Sequence, residues 1–162
     1  MVLAMRSRSL FAGAALALAC ALLAGCGGSS RLSRDAYRTR LATLGKEADK
    51  AQADVEKGLH AKSMAELQAR LKAFATAEDR LGDEASRLKP PKDAEAANAE
   101  LARGEHDTAT AIRSALPKLA KFTSPKAAIS FLTKGLAAQP KGGHEVDQAL
   151  AELKKLGYTK GS

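Results

Sequence analysis

The sequence predicts an all-α protein, an antiparallel bundle of three long helices followed by a short C-terminal helical pair. Three observations predict it. Apolar residues recur at steps of three and four along most of the chain. Alanine, the strongest intrinsic helix former, is the commonest residue. No stretch alternates apolar and polar residues with period two for long enough to make a strand.

The first helix follows Ser33, whose hydroxyl suits an N-cap. Tyr37, Leu41, Leu44, Ala48, Ala51, Val55 and Leu59 form its apolar stripe, with charged side chains on the other faces. The second opens at Ser63 with Glu66 three residues on, the capping-box pattern in which each side chain serves the other residue's amide. Its stripe runs Met64, Leu67, Leu71, Phe74, Leu81, Ala85 and Leu88 and stops before Pro90-Pro91; Glu78 occupies the one stripe position that should be apolar. The third starts near Asp93 and carries Ala94, Ala97, Leu101, Thr108, Ile112, Ala115, Leu119 and Phe122. Pro117 lacks an amide donor and crowds the preceding turn, so a kink or break is expected there.

Ser124-Pro125 reads as an N-cap with proline at the first helical position, beginning a short helix to about Ala137 with Ala128, Ile129, Leu132 and Leu136 inward. Gln139 to Gly143 reads as a turn-rich connection. The last helix presents Val146, Leu150 and Leu153 and ends at Gly157, where a left-handed residue lets Tyr158 fold back on Leu153. The short link from Leu59 to Ser63 makes the first two helices a hairpin, and Pro90-Pro91 turns the third back on the second. A long oligomeric coiled coil is disfavoured by these proline and glycine breaks.

Ahead of the helices lies an address. Arg6 and Arg8 precede an apolar run from Leu10 to Ala24, followed by Gly25, Cys26 and a small polar stretch. Charged start, short apolar centre and small-residue end make an export signal. The run is fifteen residues, short of the ~20 that a bilayer core requires. Leu23-Ala24-Gly25-Cys26 resembles the lipobox of bacterial lipoproteins. The resemblance implies cleavage between Gly25 and Cys26, a lipid on the Cys26 thiol, and a protein held at the extracytoplasmic face of the cell membrane by acyl chains. The domain reading is therefore a signal peptide over 1–25, a flexible tether over 26–33, a bundle over 34–158 and a disordered tail over 159–162. By overall plan the chain also resembles small alanine-rich helical lipoproteins of actinobacteria. That likeness rests on the lipobox, the long alanine-rich helices, the Pro-Pro turn and the closing Glu152-Leu153-Lys154-Lys155-Leu156-Gly157-Tyr158, and it implies no activity.

Processing leaves 137 residues, one domain's worth, with no thiol for a disulfide, metal or redox role once Cys26 is acylated. From Cys26 onward there are 26 large apolar residues against 27 alanines, which points to an ordered but marginal core. Charge is uneven: residues 26–62 carry +3, 63–116 carry −2 and 117–162 carry +5.

The chain carries no Gly-x-Ser-x-Gly, His-Glu-x-x-His or Gly-rich phosphate loop, so a catalytic role has no parts to work with. His60, His106 and His144 lack metal-ligand spacing and read as surface residues; no metal and no cofactor beyond the covalent lipid is expected. Interleaved charge, few aromatics and export argue against nucleic acid. Two sites remain. Arg31, Arg34, Arg38 and Arg40 follow the lipid anchor closely and are candidates for contact with anionic head groups. Glu78 with Phe74 is the candidate ligand groove, the alternative being that Ala77 takes the core position and Glu78 a boundary one. The expected role is non-catalytic: a module that binds an envelope protein or acts as a scaffold, or, second, a small-ligand or sensor domain using the Glu78 groove.

Overall fold

The computed structural model describes residues 30–138 and 141–159. Among them are five helices and no strand: α1 (Arg34–Gly58), α2 (Met64–Arg87), α3 (Glu95–Leu119), α4 (Pro125–Ala138) and α5 (Lys141–Lys155). The protein is the all-α antiparallel bundle that its periodicity predicts.

Helix ends follow the local chemistry. Ser33 Oγ accepts from the Ala36 amide at 3.2 Å, Ser63 Oγ from Glu66 at 3.1 Å, and Ser124 Oγ from Ala127 at 3.3 Å, so each serine satisfies an amide that has no intrahelical partner. The capping box is closed differently from expectation. Glu66 Oε2 accepts the Lys62 amide at 3.0 Å, one residue before the cap, while Oε1 pairs with Arg70. At the C-terminus of α5 the Tyr158 amide donates to Leu153 O and the Gly157 amide to Lys154 O, with Gly157 at φ +77°. That is the Schellman pattern, and only glycine takes that φ without strain.

Three expectations are corrected. α3 is not broken at Pro117 but continues to Leu119, because proline in a final turn forfeits little of the hydrogen-bond ladder. Leu59 is 40% exposed, since α1 ends one residue earlier and the chain turns outward. Lys141, Gly142 and Gly143 already belong to α5, so the glycines open a helix and are not a connection.

Gly142 is there for proximity. A Cβ on it would lie 2.6 Å from the Thr108 amide nitrogen and 2.8 Å from Gly104 O; one on Gly104 would lie 2.9 Å from Gly142 O. α5 therefore runs backbone to backbone along α3 as a full member of the bundle, where a C-terminal cap was expected. α3 is the central helix, packed on α2 and on α5. Among the described residues, eight of the 22 buried apolar side chains are alanine, so close approach must supply contacts that larger side chains would otherwise give.

The apolar interior forms two clusters. One joins Tyr37, Leu41 and Leu44 of α1 to Leu81, Leu101, Val146, Leu153 and Tyr158. The other joins Val55, Leu67, Leu71, Ile112 and Leu119 to Ala128 and Leu132 of α4.

The α3–α5 crossing generates a test with opposed outcomes. In an open helix Gly142→Ala would gain up to about 1 kcal/mol from propensity. Here the added methyl meets backbone that cannot retreat, so Gly142→Ala destabilises by about 1–3 kcal/mol in urea unfolding. A stabilised variant would show the crossing to be loose.

Candidate functional site

Gly25 and Cys26 lie outside the described residues. The chain that follows Cys26 is tied to the body as soon as it is described. The Leu32 amide donates to Lys89 O at 2.7 Å, and Arg31 donates to Pro90 O at 3.0 Å and to Glu95 Oε2 at 2.9 Å. Two further arginines reach the end of α5: Arg34 donates to Leu156 O at 2.6 Å, and Arg38 Nε to Gly157 O at 2.9 Å. The Arg34 guanidinium also lies 4.6 Å over the Tyr158 ring and 3.6 Å from Asp93. A helix C-terminus presents unpaired carbonyls and partial negative charge, and guanidinium is a fitting cap for it. Arg31, Arg34 and Arg38 thus form a latch across the N-terminus of α1, the α2–α3 turn and the tail of α5. Their side chains stay 45%, 57% and 52% exposed. Arg40 is exposed and borders a shallow cleft with Leu44 and Leu88.

Glu78 is 2% exposed, while Ala77 is half-buried, so the carboxylate itself holds the inward position. Phe74 is half-buried against the Leu67–Leu71 cluster. The pair does not frame an open groove. Glu78 falls between Ala75 of one cluster and Leu81 of the other; on α3, Glu105 falls likewise between Ala102 and Ala109. Glu105 is 5% exposed, and its Oε2 makes no hydrogen bond among the described residues. Two buried carboxylates therefore mark the waist between the clusters. Spacing alone could not reveal Glu105, because α3 buries two faces and a single stripe accounts for one.

His106 keeps a surface position, its side chain 40% exposed, but it is not idle there. Its Nδ1 lies 3.2 Å from Asp79 Oδ1 and its Nε2 3.6 Å from Asp83 Oδ1, across a ring position that Gly82 leaves free. Arg113 pairs with the other oxygen of Asp79. Burial opposes ionisation of Asp79, but the His106 and Arg113 hydrogen bonds outweigh it and hold the carboxyl below its ordinary value.

A hollow of about 610 Å³ lies beside the α2–α3 turn against Arg31 and Pro90, and a second open cleft lies between α3, α4 and the start of α5. This cleft of about 370 Å³ is lined by Thr110, Ala111, Ser114, Ala115 and Lys118 on one wall and Phe131 and Leu132 on the other. Asp107, Lys141 and Gly142 close it at the α5 end. The sequence had signalled its lysines only as a charge imbalance.

No family model, curated protein or solved structure matches the chain. No helix among the described residues is long and apolar enough to cross a membrane. Nor do those residues include a group of three His, Cys, Asp or Glu side chains placed to hold a metal ion.

The ion-paired Asp79 and the buried Glu105 each generate a test. Because the folded Asp79 carboxyl titrates below its ordinary 3.8, its stabilising contribution is complete above that value and is lost as pH falls through the folded-state one. Asp79→Asn is therefore less stable than wild type at about pH 7 and converges with it near about pH 2, read by urea unfolding. An equal gap at both would dismiss the ion pairs as the cause. Glu105→Met removes a buried oxygen that lacks a partner and raises stability by about 1–3 kcal/mol. A destabilised Glu105→Met would show the carboxylate to be satisfied in solution.

Proposed function

We propose that the protein is a lipid-anchored extracytoplasmic module that presents a helical surface to another envelope protein and acts without catalysis. The observation that carries this reading is the attachment of the chain just after Cys26. From Cys26 to Arg31 is five residues, a reach of at most ~18 Å, and from Arg31 onward the chain is bonded to the body. A lipid on Cys26 would hold the bundle on a short lead at a defined corner, with Arg31, Arg34, Arg38 and Arg40 near the head groups. α1 is 25 residues long, which sets its far end ~37 Å away. The two large apolar side chains that are openly exposed among the described residues, Leu59 and Phe131, belong to that far half.

A Glu78 groove is the weaker reading, since a ligand would have to part packed helices to reach a side chain 2% exposed. The anchoring is tested by labelled fatty acid. Wild type incorporates it and fractionates with membranes, whereas Cys26→Ser does neither and retains the mass of the uncleaved precursor. Equal labelling of both proteins would place the lipid elsewhere or nowhere.

A further inference from the structure

Residues 108–144 contain no aspartate or glutamate, yet they carry Arg113 and five lysines: Lys118, Lys121, Lys126, Lys134 and Lys141. Arg113 is held by Asp79. The five lysines are exposed, and none makes an ion pair among the described residues. Many of the basic residues elsewhere are neutralised: Arg80 by Glu47 and Glu84, Arg87 by Asp83, Arg103 by Glu145, Lys57 by Asp54. Cations without an ion pair occur elsewhere too, Lys46, Lys50 and Lys72 among them, but there they are interleaved with carboxylates, whereas the C-terminal half of α3, the α3–α4 turn, α4 and the first turn of α5 carry five with no carboxylate of their own.

The same surface holds the 370 Å³ cleft. Lys118 and Lys141 stand at its edges, with the Thr110 and Ser114 hydroxyls along one wall. Its walls also carry an apolar lining, from Ala111, Ala115, Leu132 and a Phe131 that is 37% exposed. Phe131 is backed by Phe122, whose ring centre is 5.2 Å away. Lys134 follows Phe131 by three residues and shares its side of α4. Asp107 is the one carboxylate in the lining, so cations remain in excess.

We propose that this face is the docking site for an acidic segment of a partner protein, with an apolar side chain seated in the cleft and carboxylates on the surrounding lysines. The proposal rests on the interaction reading above and gives its partner a chemistry. Charge complementarity names the sign of the partner, because an unbalanced lysine field steers anions and rejects cations. The apolar lining separates a peptide from a simple polyanion, since desolvating Phe131 and Leu132 needs a side chain to cover them. The position agrees: α4 joins the cluster at the far half of α1, away from the corner where the tether enters.

The test uses the full chain, in discs of zwitterionic lipid where it fractionates with membranes and in buffer where it does not, and two fluorescent peptides of about twelve residues. Both carry the same number of glutamates; one interleaves them with leucine, the other with serine. The leucine peptide is expected to bind about tenfold more tightly than the serine peptide, with affinity falling as salt rises. Lys118→Glu with Lys141→Glu should weaken it about tenfold or more, whereas Lys46→Glu with Lys50→Glu, of equal charge change on α1, leaves it within about twofold. Phe131→Ser should abolish the advantage of leucine over serine while keeping the serine peptide's affinity. Equal affinity for both peptides, or equal loss in both double variants, would reduce the face to bulk cationic attraction and overturn the proposal. Binding to anionic vesicles with no peptide binding would assign the surface to lipid and overturn it as well. Because the assay runs whether or not Cys26 is acylated, fatty-acid labelling reports separately on the anchor.

Discussion

The bundle depends on the buried phenol of Tyr37. It is fully buried, and its hydroxyl donates to Asn98 Oδ1 at 3.0 Å, while Asn98 Nδ2 donates to Ala85 O at 2.9 Å. One chain of hydrogen bonds therefore joins α1, α3 and the last turn of α2 inside the apolar cluster. Burial, reinforced by the neighbouring Tyr158, pushes the Tyr37 phenol above its ordinary pKa, so it remains a donor. Tyr158 packs edge-on against it at 5.1 Å and donates its own hydroxyl to Asp93 at 2.7 Å. In a core so rich in alanine, two tyrosines supply much of the large apolar area where four helices meet, and their polar ends set which helix lies where.

That junction fixes the corner at which the chain enters. Tyr158 can sit on Tyr37 only because Gly157 reverses the chain there, and the reversal points the Leu156 and Gly157 carbonyls at α1. Arg34 and Arg38, one turn apart, answer those carbonyls, and Arg31 answers the α2–α3 turn. Exposed ion pairs are worth little singly. Here the partners are helix-end carbonyls and a ring face, and they bind the segment nearest Cys26 to three separate parts of the bundle. The arginines that a reading by spacing assigns to the membrane have a structural occupation first.

Sequence legibility followed side-chain size. Tyr37, Leu41, Leu44, Leu67, Leu71 and Leu153 are large, recur at three and four, and proved buried. Serine caps and the Gly157 reversal were legible because local hydrogen bonding decides them. Asn98, Ala102, Gly104, Glu105 and Ala109 were not, since small and polar residues carry no hydrophobic signal and a central helix buries more than one stripe. Leu59 misled for the converse reason: it continues the stripe, but the helix stops at Gly58 before the stripe can bury it. The arginine latch joins residues more than a hundred positions apart, which no spacing rule reaches. The lysine face was half visible, as a positive segment; that its charges go unanswered emerged only with the neighbours in place.

The two ends of the molecule are built for different duties. At the entry corner, tyrosines, asparagine and arginines leave few alternative arrangements. Beyond the waist marked by Glu78 and Glu105, the buried members of the second cluster are aliphatic, with no such buried hydrogen-bonded chain among the described residues, and α4 joins it through Ala128, Ile129 and Leu132. Apolar contacts are non-directional, so a helix held by them can shift or open at less cost than one held by buried hydrogen bonds. The proposed docking surface would gain from that tolerance, whereas the entry corner, if anchored as proposed, would transmit none of its orientation if it shared it. The carboxylate waist separates the two regimes: directional hydrogen bonds gather at the corner where the described chain enters, and non-directional apolar contacts lie beneath Phe131 and the unpaired lysines.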